Sequence, residues 1–322
     1  MSNAAINLST LNANTVLAST FSQAAYPSAS GTPFVPPAGF TKVTFEFAGR
    51  KSAGFAAETY VNKATGEVVI AYRGSDTVGE AVGIAAKSAS TGTWDPQFTD
   101  ATNYAKQAQI AATKEIEAYT LGKGGTLADV PKTDILVTGH SLGGLLGQVV
   151  SKMFGWPAEV FDSLGGGKLV TTQEFADQAK ALGQVDTNGN VINHDVSDKI
   201  TNYATSGASS VGTQLGSTVN IPALGQVGGM GAVASMLAFV MSPIAAGLSL
   251  LTQQEIAQHG KFAIEQAMYG LAALKPLVSD QGALQAQNMT MAQATGQSVS
   301  DGGTSPNVVA LVNAQGQVVA YV

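Results

Sequence analysis

Asp134-Ile135-Leu136-Val137-Thr138-Gly139-His140-Ser141-Leu142-Gly143 is the stretch that decides the reading of this chain. It opens as a short apolar run, suited to a strand buried on both faces. It then passes through Gly139-His140-Ser141-Leu142-Gly143 into Gly144–Phe154, whose apolar residues recur at helical spacing. A strand that turns into a helix within a few residues leaves the residue at the bend strained. Glycines two places before and after it remove side chains that would collide across the turn. The Ser141 hydroxyl then stands clear of the sheet, and the helix N-terminus behind it supplies N–H groups where an oxyanion forms. With 37 glycines in the chain, G-x-S-x-G alone is weak. The strand before it and the helix after it make it specific.

Working outward, strand and helix patterns alternate. Phe55–Asn62 and Glu67–Tyr72 read as strands joined by the turn Lys63-Ala64-Thr65-Gly66. Lys42–Phe47 alternates apolar and charged residues like a half-buried strand. Gln97–Tyr119 reads as a helix, with Tyr104, Ala108, Ala111 or Ala112, Ile116 and Tyr119 on one face. Ala158–Phe161 and Lys199–Ala204 are further strands, and Thr172–Leu182 a further helix. Val185–Ile192 reads as a polar hairpin; its Gly189 comes too early for a calcium loop. The pattern predicts an α/β fold, a mostly parallel central sheet with helices on both faces.

Composition narrows the functions. The 322 residues are 45% hydrophobic and only 12% charged, with a formal net charge of −6. That balance argues against nucleic acid or an anionic membrane held by charge alone, so any lipid contact is expected to be apolar. With no cysteine, disulfides, thiolate metal sites and cysteine nucleophiles are excluded. Met1–Thr41 carries no charged residue and lacks the basic start and apolar core of a cleavable signal peptide. It reads as an uncharged N-terminal arm, residues 1–41, and leaves open secretion without a cleavable signal or a cytoplasmic location. Residues 42–275 read as the main domain. Residues 276–322 read as a polar tail ending in a hairpin of Asn307–Val312 and Gln317–Val322.

Ile200–Gln254 contains no charged side chain, and Val227–Leu251 is almost wholly apolar. Buried core helices, a mobile lid and a membrane span compete for residues 227–251. Gly228-Gly229, Gly231, Pro243 and Gly247 weigh against a single span.

Thr138–Gly144 resembles the T-G-H-S-L-G-G core of the class 3 (fungal-type) lipases, within the α/β-hydrolase superfamily. Tyr60–Lys63 with Glu67–Ser75 resembles the same family's hairpin, which ends in an (F/Y)-R-G-(S/T) oxyanion loop. The resemblance spans roughly Phe45 to Leu271. It implies an oxyanion hole from the backbone N–H groups of Leu142 and Ser75, and ester hydrolysis through an acyl-enzyme on Ser141. No cofactor or metal is called for.

The general base must come from three histidines. His140 lies inside the bend, and His194 in a polar hairpin. His259 follows both, in the nucleophile–acid–base order of the fold, and His259–Ile264 resembles the family's histidine block. The acid departs from the family pattern. Thr205–Ser210, where the family places an aspartate, holds no carboxylate. Within the α/β-hydrolase plan an aspartate can follow the strand next after the nucleophile, and Asp162 occupies that place. Asp198 and Asp195 remain alternatives, as does a triad without a carboxylate.

An apolar insertion near 221–252, between acid and base, suits a lipid–water interface and peripheral membrane contact. A lipase or phospholipase is therefore expected over an esterase for small soluble esters. A non-catalytic hydrolase-fold binding protein and a membrane-damaging phospholipase effector stay open beside it.

Overall fold

The computed structural model describes residues 13–26, 34–50, 52, 54–75, 81–205, 211–221, 285–290, 307–312 and 318–321. The central element is a seven-stranded sheet in the order β1 (Thr41–Lys42), β2 (Ala57–Asn62), β3 (Glu67–Tyr72), β4 (Asp134–His140), β5 (Ala158–Phe161), β6 (Ile200–Thr205) and β7 (Ser217–Ile221). β1 to β3 pair antiparallel, and β3 to β6 run parallel. The expected α/β architecture is thus present, with a parallel centre flanked by a hairpin edge. Gly66 closes that hairpin at φ +84°, a conformation that favours glycine.

β4 sits at the middle of the sheet. Its Ile135, Leu136 and Val137 are buried, so the apolar run reflects cover on both faces. The neighbouring strands β2 and β3 pack against helix α3 (Pro96–Gly122), which follows α1 (Ala13–Ala24) and α2 (Lys87–Thr91) in the chain. Pro96 fits the first turn of α3, and the Asp95 carboxylate caps it by accepting from Gln97 N at 2.9 Å. Ala101, Ala105, Ala108, Ala112 and Ile116 line its buried face. Of the two alanines considered for that face, Ala112 is the buried one, while Tyr119 is exposed. Helices α4 (Leu142–Phe154) and α5 (Gln173–Ala181) follow β4 and β5.

The alternating stretch 42–47 forms a strand only at Thr41–Lys42. Val43 N still donates to Thr59 O at 2.8 Å. Beyond that point the chain turns its rings into an aromatic cluster: Phe45 and Phe47 lie 5.1 and 5.4 Å from Tyr104. Ring packing there replaces the ladder. The Tyr104 and Tyr72 phenols are buried, which raises both pKa values well above the usual range for tyrosine. Each hydroxyl has a partner, Thr59 Oγ1 donating to Tyr104 at 3.1 Å and Tyr72 donating to Ala101 O at 2.9 Å.

The uncharged N-terminal stretch contributes α1, unpredicted from its composition. Ala18 and Phe21 are fully buried, and the Phe21 ring packs on Phe34, Phe40 and Tyr60. Thr138 on β4 donates its hydroxyl to Ala18 O at 2.9 Å. Leu17–Tyr203 belongs to one compact unit. A separate three-stranded sheet joins β8 (Gln285–Thr290), β9 (Asn307–Val312) and β10 (Val318–Tyr321), all antiparallel. β9 and β10 fall where the terminal hairpin is expected; β8 is additional. The apolar segment 227–251, the whole insertion near 221–252 past Ile221, and His259 lie outside the described residues.

Candidate active site

β4 ends at His140 and α4 begins at Leu142, so one residue makes the whole turn. That residue is Ser141, at φ 56° and ψ −121°. Positive φ is uncommon outside glycine and marks a conformation held in place by its surroundings. The surroundings are visible. A Cβ on Gly139 would lie 2.4 Å from the backbone of Gly143, and one on Gly143 would lie 2.1 Å from Tyr72 O. Both glycines are therefore demanded by close backbone approach. Ser141 N donates to Phe161 O at 2.9 Å, tying the bend to the end of β5. Its hydroxyl makes no helix-capping bond.

The loop after β3 arrives beside this bend. A Cβ on Gly74 would sit 3.4 Å from Ser141 Cβ and 2.5 Å from His140 O. The loop is held from behind: Arg73 Nη2 donates to Gly54 O at 2.7 Å, and Arg73 N to Ala56 O at 3.0 Å. Ser75 follows at once. Its Oγ is buried and has no hydrogen-bond partner among the described residues. A buried hydroxyl without a partner is costly, and such groups recur where a ligand is to be met. Leu142, the first residue of α4, is buried, and the N–H groups of a helix's first turn have no partner within the helix. Leu142 thus adjoins Ser141 in the chain, and Ser75 follows Gly74, the residue that approaches the bend.

Asp162 directly follows Phe161, whose carbonyl receives Ser141 N. Among the described residues it is the other non-glycine residue at positive φ, 43°, and its N–H donates to Tyr203 O at 2.8 Å on β6. Asp162 therefore stands one strand from Ser141, at the same edge of the sheet. The loop behind it is locked by buried amides. Ser163 N donates to Asn202 Oδ1 at 3.1 Å, and Asn202 Nδ2 returns a bond to Ser163 O at 3.2 Å. Gln148 Nε2, on α4, donates to Ser163 Oγ at 2.7 Å.

The other candidates lie elsewhere. Asp195 and Asp198 are exposed and precede Ile200, the first residue of β6. Since Phe161 pairs with Tyr203, three strand residues separate that end of β6 from the level of Asp162. At 3.3 Å per residue the gap is about 10 Å or more. The Asp195 carboxylate is occupied with Ser197 N and Oγ, bonds that hold its pKa below the usual value. His194 packs at the far end of α4: a Cβ on Gly155 would meet its Nδ1 at 2.6 Å. His140 turns its Nδ1 to the Tyr26 hydroxyl at 2.9 Å. Tyr26 also accepts Gly74 N–H at 3.0 Å. No local signal in the sequence marks Tyr26, since its partners are 114 and 48 residues away. Among the described residues no cluster of three or more His, Asp or Glu side chains is placed to hold a metal ion.

Sheet order and bend together define an α/β-hydrolase-like fold with a strained serine at the C-terminal end of its central parallel strand. The chain is similar in structure to Lip2 lipase from Yarrowia lipolytica, at 15% identity and a TM-score of 0.34, over 69% of this chain and 82% of that one. It is similar to the nonglycosylated form of that lipase at 17% identity and 0.34, over 64% and 75%. A lipase from Rhizopus microsporus var. chinensis matches at 12% identity and 0.35, over 64% and 70%. No protein-family model and no curated protein matches the sequence.

Proposed function

We propose that this chain is a carboxylic ester hydrolase acting on lipids, a lipase or phospholipase A, working through a Ser-His-Asp acyl-enzyme mechanism. The observation that carries the reading is the backbone of Ser141, strained at φ 56° and ψ −121° between strand and helix. Strain of this kind is retained where a side chain must be presented.

In this reading Ser141 Oγ attacks the ester carbonyl while His259 takes its proton. The N–H groups of Leu142 and Ser75 hold the oxyanion, with the unpartnered Ser75 hydroxyl as a third donor. His259 then protonates the leaving alcohol, and a water deprotonated by His259 releases the acid. Asp162 orients His259 and stabilises its charged form. The apolar segment 227–251 supplies the surface for a lipid interface.

The test is fluorophosphonate labelling of the full-length protein and of Ser141→Ala, beside hydrolysis of triglyceride, phospholipid and a short-chain ester. Labelling and hydrolysis lost together in Ser141→Ala support the reading. A wild-type Ser141 inert to the probe favours the non-catalytic alternative and overturns it.

A further inference from the structure

We propose that Tyr26 is a positioning residue that ties the oxyanion loop to the nucleophile elbow; the role rests on the hydrolase reading above. Its hydroxyl accepts the Gly74 N–H at 3.0 Å and lies 2.9 Å from His140 Nδ1. Those two groups belong to the loop that carries Ser75 and the bend that carries Ser141. The junction is close: a Cβ on Gly74 would fall 2.2 Å from the Tyr26 oxygen. One phenol thus bridges the two segments whose relative placement sets an oxyanion hole.

The bridge rides on a fixed element. Tyr26 follows α1, which is held by the buried Phe21 among Phe34, Phe40 and Tyr60, and by the bond from Thr138 to Ala18 O. Thr138 lies on β4, three residues before Ser141. The N-terminal helix and the elbow are therefore coupled twice, once through β4 and once through the phenol.

The hydrogen bond also selects the donor in the loop. With its N–H engaged by Tyr26, Gly74 has none to offer an oxyanion, which leaves the role to Ser75. A phenol has one proton and two lone pairs, so accepting from Gly74 still leaves it a bond to His140. Losing the hydroxyl frees the loop to shift or rotate. It removes no group that touches the substrate, and Tyr26 is not itself a catalytic residue.

The experiment compares wild type, Tyr26→Phe and Phe21→Leu as full-length proteins. Wild type is first shown to label with a fluorophosphonate. Kinetics on a soluble p-nitrophenyl ester, thermal midpoints and the ¹⁵N shift of the His140 ring are then measured. Tyr26→Phe is expected to lower kcat roughly tenfold, the equivalent of one net hydrogen bond, with KM unchanged. The His140 Nδ1 resonance should move. Phe21→Leu, which loosens the element that carries the bridge but keeps the phenol, should lower the midpoint and lower kcat per folded molecule less than Tyr26→Phe does. A rise in KM at constant kcat means that the phenol contacts substrate, and overturns the proposal. So do an unchanged kcat and a loss that merely tracks unfolding. A wild type that takes no label overturns the hydrolase reading, and the role of Tyr26 falls with it.

Discussion

Replacing Ser141 by glycine should stabilise the protein while abolishing its chemistry. At φ 56° and ψ −121° any residue with a Cβ is strained, and such strain costs on the order of 1–3 kcal/mol. Glycine removes it but adds freedom to the unfolded chain, a loss of roughly 0.5–1 kcal/mol. Alanine keeps the Cβ and the strain while also removing the hydroxyl, so it is the proper reference. Since the hydroxyl makes no capping bond, no capping bond is lost in either variant. Ser141→Gly should therefore exceed Ser141→Ala by about 1 kcal/mol, or about 2–4 °C in Tm for a domain of this size. Urea unfolding followed by tryptophan fluorescence can check this, because both tryptophans, Trp94 and Trp156, lie in the unit Leu17–Tyr203 that holds the elbow. Both variants should lose turnover by about 10⁶. If glycine is no more stable than alanine at this position, the elbow is not strained and the inference from strain to function fails.

Gly143→Ala places a Cβ 2.1 Å from Tyr72 O and 2.8 Å from Arg73 C, both backbone, and should destabilise by about 3 kcal/mol or more in thermal unfolding. Gly147→Ala, in the same helix, meets Val137 and Val160 methyl groups at 3.3 Å, with the nearest backbone atom outside the helix, Thr138 O, at 4.0 Å, and gains helix propensity. It should stay within about 1 kcal/mol of wild type. Asp162→Asn should lower turnover by about 10⁴, while Asp198→Asn leaves it within about twofold; equal effects in an esterase assay would disqualify Asp162 as the acid. His194 has its pKa lowered by burial first and by the charges of Lys199 and Lys152 after it. The folded state thus binds its proton less readily than the unfolded chain, whose histidine titrates near 6.5. The stability involved is present above about pH 6.5 and is lost as pH falls through the lowered folded pKa. Thermal midpoints between pH 7 and 5 should drop more steeply for wild type than for His194→Asn, and parallel slopes would count against it.

Much of the sheet was legible because its signals are local. The apolar run of β4, the turn at Gly66 and the α3 face each lie within a few residues, and their boundaries move by only one to three positions. Lys42–Phe47 shows the limit: the alternation correctly places Phe45 and Phe47 inward, yet cannot tell ladder pairing from ring packing on Tyr104. α1 was missed although Ala18, Phe21, Ser22 and Ala25 follow helical spacing, because a stretch rich in Ser, Thr and Asn favours caps and turns. The tertiary packing of Phe21 overrides that preference. At the site, the elbow of Ser141 and Leu142 was legible from motif and context, and the structure brings Gly74, the residue before Ser75, against it. Tyr26 was not, since a bridge between residues 74 and 140 exists only once the chain has folded.

The position of Asp162 follows from the same sheet geometry as that of Ser141. Both residues end parallel strands at one edge, and both bend the chain at positive φ, which aspartate tolerates better than most residues. A carboxylate that must hold a histidine cannot sit on a loose loop, and this loop is not loose. Asn202 from β6, Gln148 from α4 and Gln214 each bond the Ser163 backbone or hydroxyl, all from buried or half-buried positions. Gly144, in the first turn of α4, lies so near that a Cβ there would meet Ser163 Cβ at 2.7 Å. The residue that follows Asp162 is therefore fixed to the helix that follows Ser141. Rigid coupling between the two bends is what a triad needs of its framework. Under the proposed mechanism it gives a physical reason for an acid to work from the end of β5, since the stretch after β6, Thr205–Ser210, has no carboxylate to offer.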